Sequence, residues 1–328
     1  MIISDNIHLE KTIILCSNSV FKNNINYFNN LKKKLIYFLL INSKLPDHDY
    51  LLKKYNKIRN KNFSNLLLIG GGKTIDCGKI IINFFNNKEI NLIILPTLLG
   101  SGAEITNSAV FFKNKIKNTM VYDEVNKKKI IYSQKLFNQA PNKLKVYAAL
   151  DCLCQSVESI WSKKANIKSV KYASLSFINS ISYLKLNKKK RNSKSAINKL
   201  CSASLNVGKA MNITRTTAPH ALSYPLTAHL NINHGLAVSL LFKKLFYKNM
   251  EGTNLINKKV ILKLFKVKEI NQAYLEYRNL LKHNDINIKI NLNSKKIDMF
   301  CKEINIDRLS NNPVKLEKDY IKYIFSQI

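Results

Sequence analysis

Residues 65–76 read Asn65-Leu66-Leu67-Leu68-Ile69-Gly70-Gly71-Gly72-Lys73-Thr74-Ile75-Asp76 and indicate the fold class most directly. The apolar run at its start predicts a strand, and the apolar residues that follow it predict a helix. Three glycines between them expose free backbone N–H groups at a helix N-terminus, which is an arrangement that binds phosphate. A plain tight turn is the alternative that three glycines alone leave open. The stretch matches neither the G-x-G-x-x-G fingerprint nor a P-loop.

Three further short apolar runs lie in the first half of the chain, at residues 12–15, 35–41 and 91–95. Turns and amphipathic stretches separate them, and strands that alternate with helices at this spacing predict a parallel sheet of the α/β class. Ligands bind beyond the carboxyl ends of parallel strands. The glycine turn therefore falls on the predicted binding edge.

A second glycine-bearing turn follows the run at residues 91–95. It reads Pro96-Thr97-Leu98-Leu99-Gly100-Ser101-Gly102-Ala103-Glu104-Ile105-Thr106. Its small and hydroxyl residues offer hydrogen-bond donors to a phosphate or a carboxamide. Two such turns on neighbouring strands favour a dinucleotide over a lone phosphate, although each Ser or Thr alone could instead be a helix cap.

The pattern changes near Lys145, beyond which long helical periods cover residues 146–162, 167–184 and 196–211. We therefore predict two domains, an α/β dinucleotide-binding domain at residues 1–145 and an all-helical domain at residues 146–328.

The chain is strongly basic, with a formal net charge of +34 from 54 Lys and Arg against 20 Asp and Glu. The lysines are scattered among Ile and Asn without aromatic residues between them, and no nucleic-acid-binding motif is present. We therefore expect no specific nucleic-acid partner. A positive field would still concentrate anionic substrates and cofactors near a cleft.

The six cysteines lie far apart except for Cys152 and Cys154, so their spacing indicates neither a disulfide framework nor a zinc knuckle. Residues 1–10 contain Asp5 and Glu10 and no long apolar run, which argues against a signal peptide. No later segment reaches the length that spans a membrane. We expect a cytoplasmic protein with reduced thiols and no membrane partner.

Four residues in the second half could surround one divalent ion. Asp151 and Gln155 stand four residues apart on a predicted helix and share a face, while His220 and His234 flank a segment that could reverse the chain. A carboxylate, an amide oxygen and two imidazoles suit Fe2+ or Zn2+. The pattern alone leaves open the alternative of a capping Asp, an exposed Gln and two core histidines.

Taken together, four motifs resemble those of the iron-dependent alcohol dehydrogenase family, in the same order along the chain. They are Gly70-Gly71-Gly72-x-x-x-Asp76-x-x-Lys79, Pro96-Thr97-x-x-Gly100-Ser101-Gly102-x-Glu104-x-Thr106, Asp151-x-x-x-Gln155, and His220 with His234-Gly235-x-Ala237.

This resemblance implies a Rossmann-like, dinucleotide-binding N-terminal domain and a helical metal-binding domain, an architecture shared with dehydroquinate synthase. It implies NAD(P)H-dependent reduction of a small aldehyde, with hydride transfer in the cleft between the domains. We expect the partners to be this aldehyde and a second copy of the chain in a homodimer. The metal-ligand positions are Asp151, Gln155, His220 and His234. The cofactor-binding positions are Gly70, Gly71, Gly72, Lys73, Asp76, Thr97, Gly100, Ser101, Thr106 and Lys117.

Two longer stretches, at residues 151–159 and 214–227, look like the branch that reduces phosphonoacetaldehyde to 2-hydroxyethylphosphonate. Arg215 would then clamp the phosphonate, because bidentate, charge-assisted contacts suit that dianion; a solvated surface arginine is the alternative. The chain departs from the family at Gln155, where most members have His, and at Lys73, Leu98 and Ala103, which replace Ser or other hydroxyl residues.

Residues 40–43 contain no acidic residue to bind the ribose hydroxyls, which favours NADPH or no strong preference. For the proton that completes the alcohol, His229 and Tyr224 are the candidate donors, with a water chain as the alternative.

Three other functions stay open on the sequence. They are another iron-type alcohol or glycerol dehydrogenase, a cyclase of the dehydroquinate synthase kind, and a decayed homologue without activity. The stretch that begins at His220 argues against the cyclase.

Overall fold

A computed structural model of the chain describes residues 11–32, 37–43, 45–85, 89–113, 116–121, 128–304 and 309–328. It divides into two compact units. The first comprises Met1–Leu99 with Ala103–Pro141, and the second comprises Gly100–Gly102 with Asn142–Ile328.

The first unit is built on a five-stranded parallel sheet with the strand order β2-β1-β3-β4-β7. Its strands are β1 (Thr12–Ser17), β2 (Tyr37–Ile41), β3 (Asn65–Gly70), β4 (Asn91–Pro96) and β7 (Lys128–Ile130). The predicted parallel α/β sheet is thus confirmed. The remaining strands, β5 (Ser108–Lys113) and β6 (Ile116–Val121), form an antiparallel hairpin that the sequence did not predict.

Both faces of the sheet are covered, which explains why its strands are continuously apolar. Alternate residues of β3 belong to different cores: Leu66 and Leu68 pack on one side, Leu67 and Ile69 on the other. Helices α3 (His48–Asn56) and α4 (Gly72–Phe85) contribute to the first core. The second core is completed by α1 (Asn18–Asn23), α2 (Ile25–Lys32) and α5 (Gln134–Gln139).

In the second unit the described residues form helices and the loops between them. The helices are α6 (Asn142–Trp161), α7 (Ile167–Leu184), α8 (Lys194–Thr214), α9 (Ala218–Leu230), α10 (His234–Gly252), α11 (Leu255–Phe265), α12 (Ile270–His283), α13 (Ser294–Glu303) and α14 (Lys318–Ser326), with a 3-10 helix at Lys188–Lys190. The long helix α6 packs against α7, α8 and α10. It is buried nearly all round, as a helix surrounded by others must be.

Among the described residues, no helix combines the length and apolar character that crossing a membrane requires.

Candidate functional site

Three polar side chains form a buried stripe along α6. Asp151, Gln155 and Glu158 follow one another at intervals of four and three residues, so they share one face of the helix. Asp151 and Gln155 are each 4% exposed and Glu158 is fully buried. Burial of so many hydrogen-bonding groups is costly unless each finds a partner, so the stripe indicates a site.

The two candidate histidines come from the first turns of consecutive helices. Pro219 occupies the second position of α9, where proline is well tolerated, and His220 follows it. The helix ends at Asn231, which adopts the left-handed conformation (φ 55°, ψ 28°) and turns the chain. His234 then begins α10, whose N-terminus is capped by the side chain of Asn233. As a result the rings of His220 and His234 lie 5.3 Å apart, centroid to centroid.

Asp151, His220 and His234 converge. Each offers one potential ligand atom, and these atoms all lie within 4.8 Å of one another. Nε2 of His220 lies 3.0 Å from Oδ1 of Asp151. One turn further along α6, Oε1 of Gln155 is buried and has no hydrogen-bond partner among the residues that the structure describes. The four residues singled out in the sequence thus lie on the elements that build this cluster.

Glu158 completes the cluster, and sequence reasoning gave it no role. Its Oε2 is in ion-pair contact with Nδ1 of His220, and its Oε1 accepts hydrogen bonds from the hydroxyl of Thr217 (3.0 Å) and the backbone N–H of His220 (3.2 Å). The sequence feature that points to Glu158 is its position, seven residues after Asp151 on the same helical face. That signal was insufficient because Thr217 and His220 lie about sixty residues away in sequence.

The charges inside the cluster are strongly coupled. Burial alone would raise the pKa of Asp151, but hydrogen bonds from His220 and Gln155 and the nearby charges of both histidines lower it overall. Burial alone would lower the pKa of His220, yet the carboxylates of Glu158 and Asp151 raise it to about 9. In the absence of another cation, His220 therefore carries the positive charge between two buried carboxylates.

These donors fit a divalent metal ion. A carboxylate, two imidazoles and an amide oxygen form a mixed oxygen and nitrogen set of the kind that Fe2+ and Zn2+ accept. The unpartnered Oε1 of Gln155 is a buried acceptor that a cation would satisfy. The carboxylate against Nδ1 of His220 also matches the usual surroundings of a metal-binding histidine.

The two candidate proton donors are placed differently. Tyr224 lies one turn after His220 on α9, and its ring stacks on His234 with 5.6 Å between centroids. His229 lies nine residues after His220, about two and a half turns along α9, so it faces the opposite side. Its Nε2 lies 2.8 Å from the carboxylate of Glu303, and its ring stacks on Phe300. The structure thus brings Tyr224 to the cluster and leaves His229 outside it.

Arg215, the candidate anion clamp, has an unusual backbone. It ends α8 with φ 62° and ψ −178°, a region that is almost confined to glycine. The amide of Asn311 donates to the carbonyl oxygens on both sides of it, those of Thr214 (2.7 Å) and Thr216 (3.1 Å). The arginine side chain itself is exposed. The buried amide of Asn311 thus holds a strained backbone segment, and the side chain of Arg215 on that segment is exposed to solvent.

The first glycine turn and the start of the second meet at the carboxyl ends of neighbouring strands. Gly70 ends β3 and pairs in register with Pro96, the last residue of β4. The backbone N–H of Thr97 donates to the carbonyl of Gly70 (3.0 Å). The N–H groups of Gly72 and Lys73 come too early in α4 to bond within that helix, and around Gly71 the nearest atom to an added Cβ would be 3.7 Å away. This edge suits a phosphate group.

Several of the other predicted cofactor residues are engaged in the first unit itself. Lys73 donates to the carbonyl of Ser43 (2.6 Å), and Asp76 accepts from the backbone N–H of Val110 (3.2 Å). Thr106 contacts the buried ammonium of Lys79, which lies 2.7 Å from its carbonyl oxygen. Lys117 falls in β6, but its side chain lies outside the described residues.

Gly100 and Ser101 belong to the second unit. A Cβ on Gly100 would lie 2.5 Å from the carbonyl oxygen of Ala148 on α6, and one on Gly102 would lie 2.8 Å from Gly208 on α8. Gly102 also has a positive φ of 64°. The thiol of Cys152 donates to the carbonyl of Gly100 (3.2 Å). The absence of a side chain at Gly100 and at Gly102 therefore allows the backbone of these residues to lie against α6 and α8.

Comparison with known proteins agrees with this arrangement. The model of the family "iron-containing alcohol dehydrogenase" matches residues 4–134, and that of the C-terminal region of the Fe-containing alcohol dehydrogenase family matches residues 145–328. A 4-hydroxybutyrate dehydrogenase of Clostridium kluyveri is 27% identical over 223 residues, 61% of this chain and 59% of that protein. The phosphonoacetaldehyde reductase of Streptomyces viridochromogenes is 25% identical over 162 residues, 49% of this chain and 41% of that protein.

The matched stretches therefore span about half the length of these two relatives. A solved structure, the sulfoacetaldehyde reductase of Bifidobacterium kashiwanohense in complex with NAD+, superposes with a TM-score of 0.79. It is 21% identical, and the superposition covers 96% of this chain and 90% of that one. This likeness establishes the fold.

Proposed function

The chain belongs to the iron-containing alcohol dehydrogenase family, and from that membership we propose that it is an NAD(P)H- and metal-dependent reductase that converts an aldehyde to a primary alcohol. Within that reaction we propose phosphonoacetaldehyde as the substrate and 2-hydroxyethylphosphonate as the product. The observation that carries the proposal is the cluster of Asp151 and His220, both buried, with the partly buried His234 and the unpartnered oxygen of Gln155 beside them.

In this proposal Asp151, Gln155, His220 and His234 hold one divalent ion. A bound Fe2+ or Zn2+ would supply Lewis-acid polarisation of an aldehyde oxygen. Asp151 contributes the charge that favours a cation, and the burial of Asp151, Gln155 and His220 strengthens their electrostatic interaction with it. Tyr224, stacked on His234, orients that ring and is the residue we propose to deliver a proton to the alkoxide oxygen.

The glycine edge of the first unit would hold the cofactor. Gly70, Gly71 and Gly72 with the N-terminus of α4 would receive its phosphates, with Thr97 close to them and Lys73 adding positive charge. Bound NAD(P)H would supply the hydride. Asp76 and Thr106, by contrast, would act by keeping β5 and the second turn in place.

An anionic group on the substrate is supported by two independent observations. The three relatives described above are named for substrates that carry a phosphonate, a sulfonate or a carboxylate group. In this chain, Arg215 is exposed at the end of α8, five residues before His220, on a backbone that Asn311 fixes. We propose that Arg215 binds the anionic end of the substrate, since its guanidinium matches such groups bidentately.

A second candidate is reduction of 4-oxobutanoate to 4-hydroxybutyrate, because a relative matched over 223 residues is named for that alcohol. Both candidates share the metal cluster and the cofactor edge. They differ in the anion, a phosphonate dianion or a carboxylate.

The decisive experiment follows oxidation of NADPH and of NADH by the metal-reconstituted protein. Phosphonoacetaldehyde and 4-oxobutanoate are compared with acetaldehyde and lactaldehyde. Selective turnover of phosphonoacetaldehyde is expected. Turnover of 4-oxobutanoate alone would favour the second candidate, and turnover of the uncharged aldehydes alone would refute an anionic substrate.

If no aldehyde is reduced and neither nucleotide binds in a titration, the alternative of a homologue that has lost its activity would be favoured. An Arg215→Gln variant is expected to lose activity on the anionic aldehyde and keep it on acetaldehyde. Arg59→Gln, which removes the same charge from an exposed site in the first unit, is the matched control.

A further inference from the structure

We infer that Glu158 is a positioning residue for the metal site, which holds the imidazole of His220 so that Nε2 is the nitrogen presented to the ion. The inference rests on the proposed function, because it assumes that His220 is a metal ligand. It assigns to this chain a fifth member of the site that does not itself touch the ion.

The first argument is the burial of Glu158 and the origin of its donors. Its side chain is completely buried, where an ionised carboxylate is stable only when its oxygens are well satisfied. Its partners come from one short segment at the start of α9: the hydroxyl of Thr217 and the backbone N–H of His220 donate to Oε1, and Nδ1 of the same histidine is in ion-pair contact with Oε2. The carboxylate thus binds both the backbone and the ring of a single residue.

The second argument is that α9 lacks a cap of its own. Thr217 is in the capping position, but its side chain makes no capping hydrogen bond. Its hydroxyl instead accepts from Nε1 of Trp161 (2.9 Å) and donates to Glu158 (3.0 Å). The N–H of His220 is left for Glu158, a residue of another helix. Glu158 therefore fixes the start of α9 together with Asn312, whose side-chain oxygen accepts from the backbone N–H of Ala218 (3.2 Å), and with it the backbone that carries His220.

The third argument concerns the proton on the ring. A neutral imidazole has one N–H and one lone pair, and a carboxylate against Nδ1 keeps the proton on that nitrogen. When an ion displaces the second proton, the lone pair is then on Nε2, the nitrogen that lies 3.0 Å from Oδ1 of Asp151, another proposed ligand. Without Glu158 either nitrogen could carry the proton and the ring could rotate, so part of the population would be unable to bind an ion.

Three residues of the proposed site lie on one face of a single helix, α6. Asp151 and Gln155 would bind the ion directly, and Glu158, one further turn along the same face of α6, orients the histidine that arrives from α9. A single rigid helix thereby sets the distance between two ligands and the support of a third.

The test is titration of the metal-free protein with Co2+, followed by its visible absorption, for the wild type and a Glu158→Gln variant. Gln keeps the size of the side chain and removes the charge. We expect Co2+ to bind 10- to 100-fold more weakly, the usual loss when the carboxylate partner of a metal-binding histidine is removed. Ser159→Ala, at the adjacent buried residue that contacts Thr214, is the matched control and should bind within about threefold of the wild type.

The outcomes separate the two proposals. If the wild type itself does not bind Co2+, the proposed metal site fails and this inference fails with it. If the wild type binds and Glu158→Gln binds equally well, the inference alone is overturned.

A thermal melt of the metal-free variants distinguishes a purely structural role, in which Glu158→Gln would lower Tm without changing Co2+ affinity. Should Glu158→Gln not fold, Glu158→Asp replaces it. That variant keeps the charge but withdraws the carboxylate from Nδ1, and it must show the same loss of affinity.

Discussion

Replacing Lys79 by methionine is expected to destabilise the protein by about 3 kcal/mol at pH 7, and by more as the pH rises. Lys79 is completely buried in α4. Its ammonium lies 2.5 Å from the carbonyl oxygen of Ala103, 2.7 Å from that of Thr106 and 3.1 Å from that of Ser108. Methionine has a similar shape but would leave these three acceptors without that donor.

Two opposing effects determine the magnitude. Each charge-assisted hydrogen bond contributes about 2 kcal/mol. Against this, burial disfavours the charged form and lowers the pKa of Lys79 from 10.5 to about 8, although the charges of Asp76 and Glu104 oppose that effect and Lys128 reinforces it. Such a change corresponds to about 3 kcal/mol. Three such hydrogen bonds together contribute about 6 kcal/mol. After the cost of burying the charge is subtracted, the variant should lose about 3 kcal/mol of stability at pH 7.

The pH dependence follows from the direction of the shift. Because the folded-state pKa is below the unfolded one, the unfolded chain binds more protons between pH 8 and 10.5. The stability that wild-type Lys79 contributes therefore increases through this window and is lost as the pH falls through about 8. The difference between the wild type and Lys79→Met should grow by about 2 kcal/mol from pH 7 to pH 9.5.

Urea unfolding followed by circular dichroism, at several pH values in that range, measures the difference. Lys73→Met is the matched control, because the ammonium of Lys73 is exposed and donates to the carbonyl of Ser43; its effect should stay below about 1 kcal/mol. A difference between wild type and Lys79→Met that is flat or shrinks with rising pH would refute this account of the buried charge.

Three further predictions follow from the second unit. Gln155→His is expected to bind Zn2+ more tightly, because imidazole is the better donor for late transition metals; an unchanged affinity in a metal titration would contradict Gln155 as a ligand. Gly100→Ala should destabilise the fold by about 2 kcal/mol, because its Cβ would meet the backbone of Ala148; Gly71→Ala, whose Cβ would make an ordinary contact with Leu98 at 3.7 Å, is the control for the thermal melt. Arg215→Gly should raise stability by about 1 kcal/mol through relief of backbone strain, while kcat/KM for phosphonoacetaldehyde falls; a loss of stability would show that the strain is not released.

Much of the sheet could be predicted from sequence because its strands are short apolar runs. The run at residues 91–95 became β4 almost unchanged, and α7 occupies the predicted residues 167–184. The hairpin of β5 and β6 was missed because β5 is only partly buried and the sequence of β6 mixes Lys, Asn and Thr with apolar residues. Helix α6 begins at Asn142, before the predicted start, since its first polar turn shows no apolar period.

The site could be predicted only where one segment carries the information. Asp151 and Gln155 were linked by helical spacing, whereas their proximity to His220 depends on how α9 packs. Glu158 escaped notice because its partners are brought to it by the tertiary fold. His229 was a candidate by closeness in sequence, but helical periodicity turns it away toward Glu303.

The hydrogen bond from Trp161 to Thr217 gives the second unit a built-in optical reporter. Trp161 is the only tryptophan in the chain, so all indole fluorescence comes from one position. Its ring is buried, stacks on Phe242 at 5.2 Å, and reaches the carboxylate of Glu158 through a single hydroxyl. Any ion that draws His220 toward itself should alter the emission of this indole, and a paramagnetic ion should quench it more than Zn2+ does. Binding of an ion to Asp151, Gln155, His220 and His234 could then be followed in unlabelled protein by tryptophan fluorescence, before any substrate is known.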